Sequence, residues 1–328
     1  MNDGYLAICA IGAALPVAIY LAVIWWLDRY EREPFWLVGL TFGYGAVFGI
    51  IFGILGSLAL IDFFGITDRG VAAWLVAPIV EEPAKAAILL LLLLGRHFDN
   101  TTDGLIYGAA TGLGFAMTEN FLYFERLYDP NHPQAFEALV LMRGLFTALM
   151  HCAASAIVGA MLGFYRYRGK TKQWVIAPAI GLTLAILIHG IFNGALVHAQ
   201  HTGDTEWAYL ALGLVPVLGL ILFIVTLVSV SREHRMLRQE LLAEAAEGTF
   251  PEAHAHVLPF ILKRRHHAWL AAYPDVNRKR YIHAATLLAF RRHQAERLQG
   301  RSHPAIHADI TALRTEIAAM FPAERTES

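Results

Sequence analysis

Three short patterns in a very apolar chain hold side chains that could do chemistry. Glu81, Glu82 and Lys85 fall within VEEPAKAA, Glu119 and Asn120 within GFAMTEN, and His189 and Asn193 within HGIFNGA. His151 stands between the second pattern and the third. Glu81 and Lys85 are four residues apart, so on a helix they share a face, and the ammonium can neutralise a carboxylate there. His189 and Asn193, and His151 and Ser155, repeat that spacing. Pro83 removes a backbone donor and favours a kink that opens space around the carboxylates. Two imidazoles with one or more carboxylates make a ligand set for zinc. A further carboxylate can act as general base on a bound water, and Lys85 or Asn193 can stabilise an oxyanion. Hydrolysis of a peptide bond in an otherwise dry place needs those parts.

The elements that must position these groups are membrane helices. The chain has 328 residues, 56% hydrophobic and 16% charged, against about 25% charged in an ordinary soluble domain. Long apolar blocks fill residues 5–230, and most of the charge follows Ser231. A helix needs roughly 20 apolar residues to cross the hydrocarbon core. Seven blocks have that length: 5–27, 35–61, 71–94, 103–124, 137–164, 174–199 and 206–230. The expected fold is therefore all-α, a polytopic helical bundle over 1–230 with a helical soluble tail over 231–328. The glycines of the second block, Gly43, Gly45, Gly49, Gly53 and Gly56, favour close helix contact in lipid. Charge within a span costs about 3 kcal/mol per group even on the mild insertion scale, and such groups usually face an interior cavity. By depth, Glu81 and His189 fall near mid-bilayer, and one polar pocket in the middle to outer half of the bundle holds the whole set. Asp103 and His97, at span ends, are expected to be solvated.

Lys and Arg in short loops set the orientation. Arg29, Arg32, Arg96, Arg166, Arg168, Lys170 and Lys172 follow spans one, three and five, whereas the loops after spans two, four and six hold only Arg69 and Arg126, with Arg143 slightly inside the fifth block. This puts the N-terminus outside and the tail in the cytoplasm, as Arg232, Arg235 and Arg238 at the tail's start also indicate. The N-terminus lacks the basic region of a secretory signal, so the first block is read as a retained span. Cys9 and Cys152 lie in apolar blocks and form no disulfide framework. In the tail, residues 231–247 extend the last span, and 281–298 and 306–320 have helical periodicity. Basic clusters at 263–265 and 278–280 either touch anionic lipid or form a solvated face. Nine of the fifteen histidines lie in the tail without recognisable ligand geometry. The net charge of −1 identifies no partner. The bilayer and a membrane protein substrate are expected, no nucleic acid is, and what the tail binds is open.

Each polar residue has a plainer reading. A histidine within a span can join helices by a hydrogen bond, Glu81 and Lys85 can form a structural ion pair, and Glu82, Asn120 and Ser155 can be structural. Buried Glu, Lys and His also form the proton relays of transporters. The joint occurrence on four consecutive spans favours chemistry.

The three patterns and His151 together resemble the PrsW family of intramembrane proteases, which is related to the type II CAAX prenyl proteases and the CPBP membrane proteins. The resemblance rests on EExxK (Glu81, Glu82, Lys85), FxxxEN (Phe115, Glu119, Asn120), a histidine in the next span (His151) and HxxxN (His189, Asn193), over residues 1–230. It implies proteolysis of a membrane-embedded or membrane-proximal protein in a bacterial-type inner membrane. Glu81 would activate water, assisted by Glu82 and Lys85. Glu119, His151 and His189 would be metal ligands or water-positioning groups, and Asn193 the oxyanion partner. It also implies a metallopeptidase with Zn2+, although a glutamate-type mechanism without metal stays open. The tail lies outside the matching region.

Overall fold

The computed structural model describes residues 3–27, 33–95, 97–166, 173–298 and 304–321, and those residues form helices and connecting turns without a strand. They divide into two compact units, with the change along the chain at Thr226 and Leu227.

In the first unit, α1 is Asp3–Leu27 and α2 is Phe35–Phe64. The third helix, α3, covers residues 69–92, α4 is Thr101–Leu127, α5 is Pro133–Tyr165 and α6 is Gln173–Thr202. The seventh, α7, is Thr205–Ala246. Five helices are long and apolar enough to cross a membrane: Gly4–Leu27, Phe35–Phe64, Pro133–Tyr165, Val175–Thr202 and Thr205–Ala246. Of the seven expected spans, five are long and apolar enough to cross among the described residues. The two that fall short are α3 and α4, which carry the polar patterns. Glu81, Glu82 and Lys85 sit in the middle of α3, and glycines, threonines, Glu119 and Asn120 lower the hydropathy of α4. Large apolar side chains such as Ile11, Leu15, Leu55, Leu58 and Leu220 are exposed on α1, α2 and α7, the surface that lipid rather than water solvates.

Glycine sets how closely the helices around the polar residues approach. On α4, a Cβ at Gly104, Gly108 or Gly112 would run into the carbonyl oxygens of Gly159, Ser155 and His151 on α5. On the opposite partner, a Cβ at Gly45 or Gly114 would strike Thr111 O or Phe42 O, so α2 grips α4 in the same way. Packing of this kind replaces the hydrophobic effect as the source of association in lipid. The glycine-rich second block behaves as expected at Gly45, Gly49, Gly53 and Gly56, while Gly43 meets nothing within 4 Å.

Three helices contain one turn of π-helix: Gly45–Gly49 in α2, Ala72–Val76 in α3 and Arg143–Thr147 in α5. Such a turn widens the helix by a residue and often marks a functional site. Asp68 caps α3, its Oδ1 accepting from the backbone N of Gly70 at 2.6 Å and Val71 at 3.1 Å. Asp103 is buried rather than solvated: it completes a capping box with Asn100 at the start of α4, which satisfies the free N–H groups there.

The second unit holds the end of α7, the short α8 (Glu252–Ala255), α9 (Arg278–Arg297) and α10 (Pro304–Met320). Its core includes Leu237, Leu241, Tyr281, Leu288, Leu313 and Ile317. The expected tail helices are present, and the extension of the last span is one unbroken 42-residue helix. Glu244 is fully buried here. Burial works against its charge, but bonds from Arg314, Thr249 and Arg292 outweigh it and hold its carboxyl below the usual range.

The glycine contacts lead to a direct test. Gly108→Val places a branched side chain on the Ser155 carbonyl and is expected to lower the melting temperature of the purified protein sharply, overpacking of this kind costing about 1–3 kcal/mol or more. Gly213→Ala, at a glycine with nothing within 4 Å, is expected to leave it within experimental error.

Candidate active site within the bundle

The polar residues of α3, α4, α5 and α6 meet in one buried cluster. Glu82, Lys85, His151 and His189 are each at most 1% exposed, while the side chains of Glu81 and Glu119 are 14% and 20% exposed. Lys85 Nζ lies 2.5 Å from Glu82 Oε1 and 3.0 Å from His151 Nδ1, and 4.4 Å from the centre of the Phe115 ring. An ammonium only donates, so His151 accepts at Nδ1 and carries its proton on Nε2. That nitrogen donates to Glu119 Oε2 at 3.0 Å. His189 pairs through Nδ1 with Glu82 Oε1 at 2.8 Å and turns Nε2 toward Glu81 Oε2 at 4.0 Å. The two imidazole rings are 4.8 Å apart, edge to face. Each histidine therefore has a carboxylate on one nitrogen, the arrangement that fixes ring orientation and tautomer in metal and acid–base sites.

Local structure makes room for this. Gly49 and Gly53 on α2 lie against Lys85, Phe115 and the Glu81 side chain, where a Cβ at Gly53 would meet Glu81 Cγ at 3.1 Å. Gly112 lets α4 rest on the backbone of His151. The π-turns supply carbonyls with a partner: Asn193 Nδ2 donates to Ala73 O at 3.0 Å, and Asn120 Nδ2 to Arg143 O at 3.3 Å.

Several details differ from the expectation. The i,i+4 spacing pairs Lys85 with Glu81, whereas the ammonium reaches Glu82 at i,i+3. Glu82 completes a group with His151 and His189 whose ligand atoms all lie within 4.8 Å of one another. Glu119, expected in that group, bonds His151 and is also held by Arg143 at 2.8 Å. Asn193 is engaged with the α3 backbone. Arg143 did not stand out in the sequence as a member of the site. Its signal was available: a lone arginine inside an apolar block, two i,i+4 steps before His151.

The residues fit a divalent cation. The donors are two imidazoles and a carboxylate, and the buried Oε2 atoms of Glu81 and Glu82 have no hydrogen-bond partner. Lys85 already places positive charge on Glu82 and His151, so a metal and the ammonium contend for the same donors.

A membrane bundle that gathers carboxylates, imidazoles and an ammonium into one buried chamber has the makings of a hydrolytic enzyme of the bilayer. Comparison with known proteins agrees. The profile of the PrsW family intramembrane metalloproteases matches residues 33–228. The Protease PrsW of Bacillus subtilis (strain 168) is 28% identical over 208 residues, covering 62% of this chain and 86% of that protein. That of Clostridioides difficile (strain 630) is 28% identical over 188 residues, covering 56% and 77%. That of Oceanobacillus iheyensis is 30% identical over 193 residues, covering 57% and 82%. No solved structure matches significantly. The chain belongs to the PrsW family of intramembrane proteases and is an integral membrane protein.

The donor group gives a metal test. Purified full-length protein is expected to hold a divalent metal near one equivalent by elemental analysis, with His151→Ala and His189→Ala both losing it. Metal kept by both variants, or none in the wild type after loading with divalent metal, would contradict a metal site at these residues.

Proposed function

We propose that the protein is an endopeptidase that cuts a membrane-embedded or membrane-proximal protein, with Glu81 as the base that activates water. The observation that carries this reading is the pairing of Glu81 Oε2, buried and without a hydrogen-bond partner, with His189 Nε2 at 4.0 Å. Both atoms are acceptors, so a water between them can donate to each. Glu81 takes the water's proton as oxygen attacks the scissile carbonyl, and returns it to the leaving amine. Glu82 holds the Nδ1 proton of His189 and keeps Nε2 an acceptor. Lys85 uses two of its three N–H bonds on Glu82 and His151, and the third is the donor we assign to the oxyanion. The second N–H of Asn193 Nδ2 assists it.

In this reading zinc would be held by Glu82, His151 and His189, taking over the atoms of Glu82 and His151 that Lys85 otherwise bonds, with Glu119 bonded to His151. When bound it supplies Lewis acidity to water or carbonyl. We place the N-terminus outside and the tail in the cytoplasm, on the basic residues of the loops. Of these, Arg29, Arg32, Arg96, Arg168, Lys170 and Lys172 lie outside the described residues. Arg166 is described, and bonds the carbonyls of Leu93 and Gly95. The substrate is a membrane protein in a bacterial-type inner membrane. A role for the tail in choosing it is consistent with the tail lying outside the family match, which ends at residue 228.

The test works without the substrate being identified. Membranes from cells expressing the wild type are expected to contain new protein N-termini within or beside spanning segments. Glu81→Gln, expressed to the same level, is expected to reduce them by about 100-fold or more, the usual contribution of a general base. Equal yields from the two proteins would sink this assignment of Glu81.

A further inference from the structure

Arg143 lies eleventh in the 33-residue helix Pro133–Tyr165, about 15 Å from its start at the helical rise. It falls inside the apolar block 137–164, where a guanidinium is costly and needs partners. Its partners come from the neighbouring helix. Nη2 donates to Glu119 Oε2 at 2.8 Å and Nε to Asn120 Oδ1 at 2.9 Å. The guanidinium carbon lies 3.6 Å from the centre of the Tyr123 ring. The residue opens the π-turn Arg143–Thr147, and its own carbonyl accepts from Asn120 Nδ2 at 3.3 Å. Side chain and backbone of one arginine thus clasp two consecutive residues of α4, with the ring one turn further on closing the clasp.

The oxygen that Arg143 holds is the one His151 uses. Glu119 Oε2 takes both the guanidinium at 2.8 Å and His151 Nε2 at 3.0 Å. We propose that Arg143 is a positioning residue for the site: it fixes the Glu119 carboxylate as the hydrogen-bond acceptor of His151 Nε2, and so fixes the His151 ring with Nδ1 toward Lys85. The guanidinium bonds Glu119 and Asn120 rather than Lys85 or His189, so it acts through Glu119. For activity the inference rests on the hydrolytic reading; for geometry it stands alone.

The test is the Nε2–H proton of His151, observed by NMR of full-length protein with labelled histidine in lipid. Bonded to a carboxylate, it resonates far downfield. Wild type is expected to show that signal, and Arg143→Lys, which keeps a cation beside Glu119, to retain it. Arg143→Gln and Glu119→Gln are expected to shift or lose it. New N-termini in the cell assay are expected to fall about 10–100-fold in Arg143→Gln, the usual cost of removing such a supporting partner, and to recover in Arg143→Lys. A wild-type His151 signal in Arg143→Gln overturns the proposal, even if its melting temperature drops, because a purely structural arginine predicts that combination. Should Arg143→Gln not fold, Asn120→Ala, which removes one anchor of the guanidinium, is read the same way, and an unshifted signal there overturns it. Absence of any new N-termini in the wild type would count against the protease reading and leave the NMR result to decide this one.

Discussion

An ammonium in the middle of an apolar bundle is stable only if its surroundings return what water gave it, and the structure around Lys85 is arranged to do so. Glu82 supplies the counter-charge at 2.5 Å, His151 an acceptor at 3.0 Å, and the Phe115 face a third contact. Removing one partner of such a buried pair typically costs about 3–5 kcal/mol because the other is left uncompensated. The arrangement also fixes chemistry: Lys85 determines which nitrogen of His151 accepts, Glu82 determines which nitrogen of His189 does, and Arg143 holds the carboxylate at the far end. The cluster contains three carboxyl groups, Glu81, Glu82 and Glu119, and two basic side chains, Lys85 and Arg143, so one carboxyl group has no basic partner of its own.

Backbone irregularity lets four helices bring these groups together. The glycines of α4 allow α5 to lie against its backbone, so that His151 and Gly112 touch through a carbonyl. Each π-turn frees a carbonyl, and in α3 and α5 an asparagine of a neighbouring helix takes it up. In lipid an unpaired carbonyl has no water to turn to. Asn120 and Asn193, whatever else they do, thereby tie the patterns on α4 and α6 to the helices that carry Glu81 and His151.

Much of this was legible in the sequence, because charge in an apolar run has few explanations. The helices fall where the apolar blocks do, and the tail helices where the 3.6-residue period does. Glu81, Glu82, Lys85, Glu119, His151 and His189 come together as their placement on successive spans implied. What could not be read depends on rotation and neighbours. The π-turn at Ala72–Val76 adds a residue to a turn just before Glu81, so the facing of later side chains cannot be counted at a constant 100° per residue. Lys85 bonds Glu82 rather than Glu81, on an oxygen that His189, more than a hundred residues away, shares. Arg143 counted only as a charge slightly inside the fifth block because its partners, Glu119 and Asn120, lie on another helix. Asp103 looked solvated because its partners are backbone N–H groups.

The whole site depends on the Lys85 side chain sitting directly on His151 within the bundle. Dipolar recoupling between the side-chain nitrogen of Lys85 and the imidazole of His151, in selectively labelled full-length protein in lipid, measures that contact. A strong coupling corresponding to 3.0 Å between Nζ and Nδ1 is expected. No detectable coupling between the two side chains would contradict it.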